Sequence, residues 1–412
     1  MKYLLVIGDG MADDPVPELD GKTPLQYSKT PVMDKLASAG ITGSVLTIPE
    51  GMPAGSDTAI LSIFGCDPRV SYAGRAPLEA AAKGIKLSPG NVAYRLNMVT
   101  FEDGNMPYEE KKIISHSAGS IEGEESDTII TELFNTPDFG RLAEKSRMIV
   151  YPGSSFRHIA VQEAADIGGI SLTPPHDHLG DTLGRHLPCG CENAAILDGM
   201  MRLAHQILDS HPLNVKRRQA GKLPANGIWF WAEGTAVKLP DFVDKYGKAG
   251  GVISAVPLCQ GIGVLLGLEK IYVEGATGEL HTNYEGKVEA ALEVLKAGDF
   301  ATVHIEAPDE CTHNGDTRGK IQAIEWIDSR VVAPLAGRMR ESGEDYRMLV
   351  ISDHRTLTST RGHDGAPVPF IIYDSRVDRG TGLSYNEADA VRGQYLPDGT
   401  KLMDMLFEMN ND

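Results

Sequence analysis

Four short apolar runs constrain what this chain can fold into. Residues 3–7, 301–305, 347–351 and 369–373 are β-branched or otherwise apolar, and turn residues bound each run. A short run that is apolar at successive positions, with no polar alternation, reads as a strand buried on both faces. Helical spacing lies between some of these runs, over 287–295 and over 321–333, with Pro334 marking a break or kink. Strands alternating with helices predict an α/β fold, a mostly parallel sheet between helices. The stretch 106–240 differs. It is rich in polar loops (116–126, 173–180, 214–226) and carries its own strand candidates at 147–151 and 159–161. It reads as a smaller α+β domain inserted into a core made of 1–105 and 241–412.

Chemistry-bearing side chains cluster just past the ends of the predicted strands. Asp9 follows the first, in Gly8-Asp9-Gly10. Asp309 and His313 follow the second. Asp353 and His354 follow the third, with His363 a little further on. In an open α/β sheet the carboxyl ends of the strands converge on the ligand crevice, so segments remote in sequence meet there. Three carboxylates and three imidazoles form a mixed O/N donor set. It suits Mn²⁺, Zn²⁺, Co²⁺ or, less well, Mg²⁺, and is too large for one tetrahedral ion. Two divalent ions are therefore expected, an arrangement that clamps the attacking and leaving oxygens of a phosphoryl displacement.

Ser56 lies in Pro53-Ala54-Gly55-Ser56-Asp57-Thr58-Ala59, at the start of a helix suggested by 58–64. A helix N-terminus favours a phosphate, and a metal would activate the serine. A plain N-cap serine satisfies the same spacing. Arg75, Arg95 and Arg157 are candidate anion ligands, with His158 beside the last. Arg217, in Lys216-Arg217-Arg218, reads better as a surface salt bridge. The charge balance of 39 Lys+Arg against 57 Asp+Glu, −18 net, argues against nucleic acid or an anionic membrane as main partner. No apolar run reaches the ~20 residues of a membrane helix. Five scattered cysteines fit a reduced, cytoplasmic chain, and the Cys189/Cys191 pair reads as a loop with free thiols.

Gly8-Asp9-Gly10-Met11, Gly21–Leu25, Gly55–Ala59, Gly74–Ala80, Pro224–Asn226, Gly275–Gly278, Ala307–Glu310 and Ser352-Asp353-His354 with His363 occur in order along nearly the whole chain. In these motifs the chain resembles the archaeal-type cofactor-independent phosphoglycerate mutases of the alkaline phosphatase superfamily. The resemblance implies an alkaline-phosphatase-like core with an inserted substrate-capping domain. It implies that Ser56 is the nucleophile that becomes phosphoserine. It further implies that Asp9, Ser56, Asp353 and His354 hold one metal, and that Asp309, His313 and His363 hold the other.

One stretch departs from the pattern. Where such mutases carry D-R-R-A-G-R, this chain reads Ser115-His116-Ser117-Ala118-Gly119-Ser120, and no arginine occurs between Arg95 and Arg141. The variant resembles a bacterial branch of the family proposed to act as homoserine kinases, sharing Thr173-Pro174-Pro175-His176-Asp177, the 254–258 region and 367–375. Two functions are thus implied. The leading one is interconversion of 3-phosphoglycerate and 2-phosphoglycerate, with a small phosphorylated metabolite as the partner. The alternative is phosphoryl transfer to an amino-acid hydroxyl on the same metal core, although no G-x-x-x-x-G-K-[ST] loop is present.

Overall fold

The computed structural model describes residues 1–408. The chain divides into two compact units, one formed by Met1–Tyr72 with Lys238–Asp412 and the other by Ala73–Val237. The second unit begins earlier than the expected 106. The Arg75–Ala82 helix packs on strands Val92–Phe101 and Gly227–Thr235, both of which belong to that unit, so 73–105 goes with it.

The first unit is built on an eight-stranded sheet. Its strand order is Gln394–Leu396, Ile41–Val45, Val368–Asp374, Tyr346–Ile351, Lys2–Gly8, Phe300–Ile305, Gly250–Ile253 and Glu269–Ile271. Five of the seven pairings are parallel. The exceptions flank Val368–Asp374, which runs antiparallel to both neighbours. The expected mostly parallel sheet is therefore present with a reversed strand near one edge.

Residues of Lys2–Gly8 are buried at both parities because both faces are covered. Leu4 and Val6 pack with Val303, Met348 and Val350 against Val288, Ala291 and Leu295 of the Tyr284–Ala297 helix. On the other parity, Tyr3 and Phe300 meet Phe407, and Phe300 also meets Phe64 and Phe242, in edge or stacked contacts. Fully burying one such aliphatic side chain is worth about 1.5–3 kcal/mol. At Pro334, where a break or kink is expected, the helix does not break but is distorted just before the proline. Thr317–Trp326 is α-helical, Ile327–Val332 widens to a π-helical turn, and Ala333–Ser342 resumes with the proline in its first turn. Widening the turn accommodates the amide bond that proline cannot make and the bulk of its ring.

The second unit is an α+β body. Val92–Phe101 is flanked by Gly227–Thr235 on one side and by Arg157–Gln162 and Ile113–Ser115 on the other, all antiparallel, and Met148–Tyr151 extends the sheet. Helices Gly123–Asn135, Pro137–Lys145 and Glu192–Leu208 supply Ile129, Ile130, Leu133, Phe139, Leu197 and Met201 to its core.

Candidate active site

Three adjacent parallel strands deliver the first unit's polar cluster. Lys2–Gly8 lies between Phe300–Ile305 and Tyr346–Ile351, with Gly8 level with Ile305 and Ile7 level with Ile351. Parallel neighbours lie about 4.8 Å apart, so Asp9, Asp309 and Asp353 emerge at one edge. Asp309 and His313 share the Ala307–His313 helix, one turn apart. His363 comes from a hairpin, Arg355–Leu357 with Gly362–Asp364, in which it pairs with Thr356. Gly10 sits beneath that hairpin at φ +62°, where a Cβ would lie 2.4 Å from Thr356 Oγ1, so only glycine fits.

The donor atoms converge. His354 Nε2 is 3.4 Å from Asp9 Oδ1, 3.3 Å from Asp353 Oδ2 and 3.1 Å from Ser56 Oγ, which is itself 3.3 Å from Asp9 Oδ2. His313 Nε2 and His363 Nε2 face each other at 2.9 Å, and lie 3.2 and 3.3 Å from the two oxygens of Asp309. Metal–ligand bonds of 2.0–2.1 Å in a tetrahedron put ligand atoms about 3.3 Å apart, and these spacings match. Asp9 Oδ1 and Asp353 Oδ2 are buried without a hydrogen-bond partner among the described residues, a costly arrangement unless a cation satisfies them. The residues present therefore fit divalent metal ions.

The electrostatics agree. Burial, then the neighbouring Asp353 and Asp309 carboxylates, holds the Asp9 carboxyl well above its usual range. Burial also pushes Asp309 upward, but contacts from His313 and His363 outweigh it, and its carboxyl lies well below the usual range. The contact to Asp309 raises His313 to about 9. Three buried carboxylates in one place demand positive charge.

Ser56 is the first residue of the Ser56–Ile63 helix, with Gly55 in the capping position. Its hydroxyl bonds no helix N–H and instead faces Asp9 and His354, which removes the N-cap reading. All seven positions expected for the metals and the nucleophile thus come together.

The arginine candidates lie in the second unit. Glu79 is their hub. It is paired by Arg95 through two N–H groups and by Arg75 Nε at 3.3 Å. Burial opposes ionisation of Glu79, but Arg95 beside it holds the carboxyl below its usual range. Arg95 is buried and its charge is compensated. Arg157 differs. Its guanidinium lies 5.2 Å from the Phe156 ring and 5.9 Å from the Trp231 ring, its Nε has no hydrogen-bond partner, and no carboxylate forms an ion pair with it among the described residues. Burial, then neighbouring Arg95, lowers it to about 10.

His158 requires a correction. It follows Arg157 on the strand and so points to the opposite face. It is fully buried, with Nδ1 accepting from Gly153 N–H at 3.0 Å and Nε2 3.2 Å from Ser126 Oγ. It holds a turn and is not carried forward as an anion ligand. Burial drives its pKa down to about 4, with Asp127 offsetting only part. The unfolded chain, near pKa 6.5, binds this proton first, so stability falls as pH drops from about 6.5 to about 4, by up to ~3 kcal/mol. Thermal melts across that range should show a shallower acid slope for His158→Gln. An unchanged slope would contradict this.

Arg217, read as a surface residue, is buried. It donates to Glu125 Oε2, to the carbonyl of Leu223 and to that of Ala118. The arginine-free stretch 115–120 is a serine-braced turn. Ser115 Oγ accepts from Ser117 and Gly119 N–H, and Ser117 Oγ from Ser120 N–H.

Sequence reasoning missed two neighbours of the first unit's cluster. Thr356 Oγ1 donates to Asp309 Oδ1 at 2.7 Å, and His304 Nε2 lies 3.0 Å from Asp9 Oδ2. The second had a signal, a histidine interrupting an otherwise apolar strand.

A family model described as 2,3-bisphosphoglycerate-independent phosphoglycerate mutase matches residues 37–214. A protein of that description from Methanosarcina acetivorans is 45% identical over 393 residues, which cover 95% of each chain. This chain belongs to the 2,3-bisphosphoglycerate-independent phosphoglycerate mutase family. Among solved structures, a Pyrococcus horikoshii protein is similar at a TM-score of 0.80 and 31% identity, with 99% of this chain and 96% of that one covered. The cofactor-independent phosphoglycerate mutase of Thermoplasma acidophilum matches at 0.66 and 26%, with 99% and 100% covered. Both resemble this phosphoglycerate mutase family member along nearly its whole length. No helix among the described residues is long and apolar enough to cross a membrane.

Proposed function

We propose that this chain interconverts 3-phosphoglycerate and 2-phosphoglycerate without added 2,3-bisphosphoglycerate, through a phosphoserine at Ser56. The observation that carries the reading is the Ser56 hydroxyl within 3.3 Å of Asp9 and 3.1 Å of His354, beside a donor set suited to metal. Ser56 Oγ attacks phosphorus and loses its proton, the P–O bond to the glycerate breaks, and that oxygen leaves as the glycerate hydroxyl. The glycerate reorients, its other hydroxyl attacks the phosphoserine and yields its proton, and Ser56 is regenerated. Asp9, Ser56, Asp353 and His354 would hold one divalent ion and Asp309, His313 and His363 another, which would supply charge neutralisation and lower the serine pKa. The chain's own contribution is positioning, since phosphoryl transfer demands little else of protein groups.

Arg157, the guanidinium without a carboxylate partner, is the anion ligand in this reading. Arg75 and Arg95 support it by holding Glu79. The substrate is a small phosphorylated metabolite, the second unit is the substrate-capping domain, and the setting is cytoplasmic. Transfer to an amino-acid hydroxyl draws no support from the comparisons.

The test is ³¹P NMR of Mn²⁺-reconstituted protein with 3-phosphoglycerate, with no nucleotide or bisphosphoglycerate. The expected result is 2-phosphoglycerate at equilibrium, lost on chelation and restored by metal. Arg157→Leu should raise KM about tenfold or more, as loss of one charge-assisted anion contact costs about 1.5–3 kcal/mol. Absence of conversion by the metal-loaded wild type refutes the mutase reading. An unchanged KM in the variant refutes the role of Arg157.

A further inference from the structure

His304 lies beside the seven expected positions, its donor atom within 4.8 Å of Asp9 and Glu306. It is the fifth residue of the Phe300–Ile305 strand, is fully buried, and sits level with Ile7 of the neighbouring strand. Its Nε2 is 3.0 Å from Asp9 Oδ2, and its Nδ1 is 3.0 Å from Ser254 Oγ. Lys287 Nζ donates to the His304 carbonyl at 2.9 Å and fixes the backbone there.

The proton positions follow from what each group can do. An Asp9 carboxylate that ligates a cation is ionised and only accepts, so in that state the proton between His304 and Asp9 sits on Nε2. With that proton on Nε2, near which Glu306 stands beside Asp9, the uncharged ring has Nδ1 bare, an acceptor 3.0 Å from Ser254 Oγ. Ser254 must then donate to it. Ser254 has its hydroxyl proton available for this, because its oxygen takes the Val256 N–H, 3.0 Å away, as an acceptor. The chain of donation thus runs one way, from Ser254 to His304 to Asp9.

Asp9 is held at one oxygen and open at the other. Oδ2 takes the His304 N–H and lies near Ser56, whereas Oδ1 has no hydrogen bond among the described residues and points toward His354 Nε2 at 3.4 Å. We propose that Ser254 and His304 form a positioning pair that locks the Asp9 rotamer and keeps Oδ1 aimed at the cation. This rests on Asp9 being a metal ligand, as in the function proposed above. It also gives a role to Ser254, in a stretch the sequence marks out but the metal set leaves unused. Partners behind a ligand typically change metal affinity about 10–100-fold when removed.

The test is equilibrium dialysis of Mn²⁺ against the full-length protein, with thermal melts of the metal-free protein alongside. His304→Leu keeps bulk and removes the donor, and its Mn²⁺ affinity should fall about 10–100-fold. His304→Gln places an amide N–H near the Nε2 position and should recover most of that loss. Ser254→Ala frees the ring tautomer and should weaken binding about 3–10-fold, a fraction of the same effect. A purely structural role would lower the melting temperature and leave affinity unchanged. If His304→Leu and Ser254→Ala both bind Mn²⁺ as the wild type does, the positioning pair is overturned. If His304→Leu does not fold, wild-type affinity in Ser254→Ala alone overturns it. A wild-type protein that binds no Mn²⁺ instead refutes the metal reading on which the proposal rests.

Discussion

Ser56→Ala is expected to lower mutase turnover by on the order of 10⁴-fold or more, the scale on which nucleophile removal acts. The substitution should be clean. Gly55 holds the capping position of the Ser56–Ile63 helix, and the Ser56 hydroxyl bonds no helix N–H. Deleting it removes no cap and should leave the melting temperature within a few degrees of wild type. Thr58 secures the turn independently, its hydroxyl donating to the carbonyls of Pro53 and Gly55. Two measurements check this. Turnover comes from the ³¹P assay, and acid-quenched protein is examined for a phosphoryl group after incubation with substrate. Wild type should carry the group on the peptide containing Ser56, and the variant should carry none. Substantial turnover by Ser56→Ala would place the nucleophile elsewhere.

Asp353→Asn should separate function from stability. Asp353 Oδ1 accepts from Gly10 N–H at 3.0 Å and from His354 N–H at 2.8 Å, and asparagine can keep both bonds. The change falls on Oδ2, which is buried, lacks a hydrogen bond among the described residues and lies 3.3 Å from His354 Nε2. Replacing that oxygen with an NH₂ group substitutes a donor where the proposed site has a metal ligand. Activity should drop by about 10³-fold, comparable to removing one strong electrostatic contact at a reacting centre. The metal-free variant should nonetheless be more stable by about 0.5–2 kcal/mol, because one of the buried carboxylates that crowd Asp9 is gone. Paired melts of metal-free and Mn²⁺-loaded protein check this. Wild type should gain stability from Mn²⁺ and the variant should gain little. A metal-free variant less stable than wild type would show that the Asp9–Asp353 repulsion is already relieved by other means.

Much of the first unit was readable because its chemistry sits where sheet geometry puts it. Four apolar runs gave the central strands to within a residue at each end, and the Asp and His residues just past three of them proved to be the convergent cluster. Other parts were opaque for identifiable reasons. The antiparallel direction of Val368–Asp374 depends on the Arg355–Asp364 hairpin returning the chain, and apolarity carries no direction. The 106 boundary failed because Val92–Phe101, buried at every position, could equally have joined the core sheet. His158 was grouped with Arg157 because they are adjacent, yet adjacency on a strand guarantees opposite faces. Arg217 looked exposed because two basic neighbours surround it, whereas three acceptors from separate segments bury it.

The sequence by itself determined the donor types, their order along the chain and, through the motifs, the family. Those follow from residue identity, which chemistry reads directly. Only the tertiary structure decided which donors face one another, that Ser56 turns its hydroxyl to Asp9 and His354 instead of capping its helix, and that His304 stands behind Asp9. Each of those is a contact between segments far apart in the chain. Such contacts are set by strand register and by which face a side chain takes, neither of which local composition encodes.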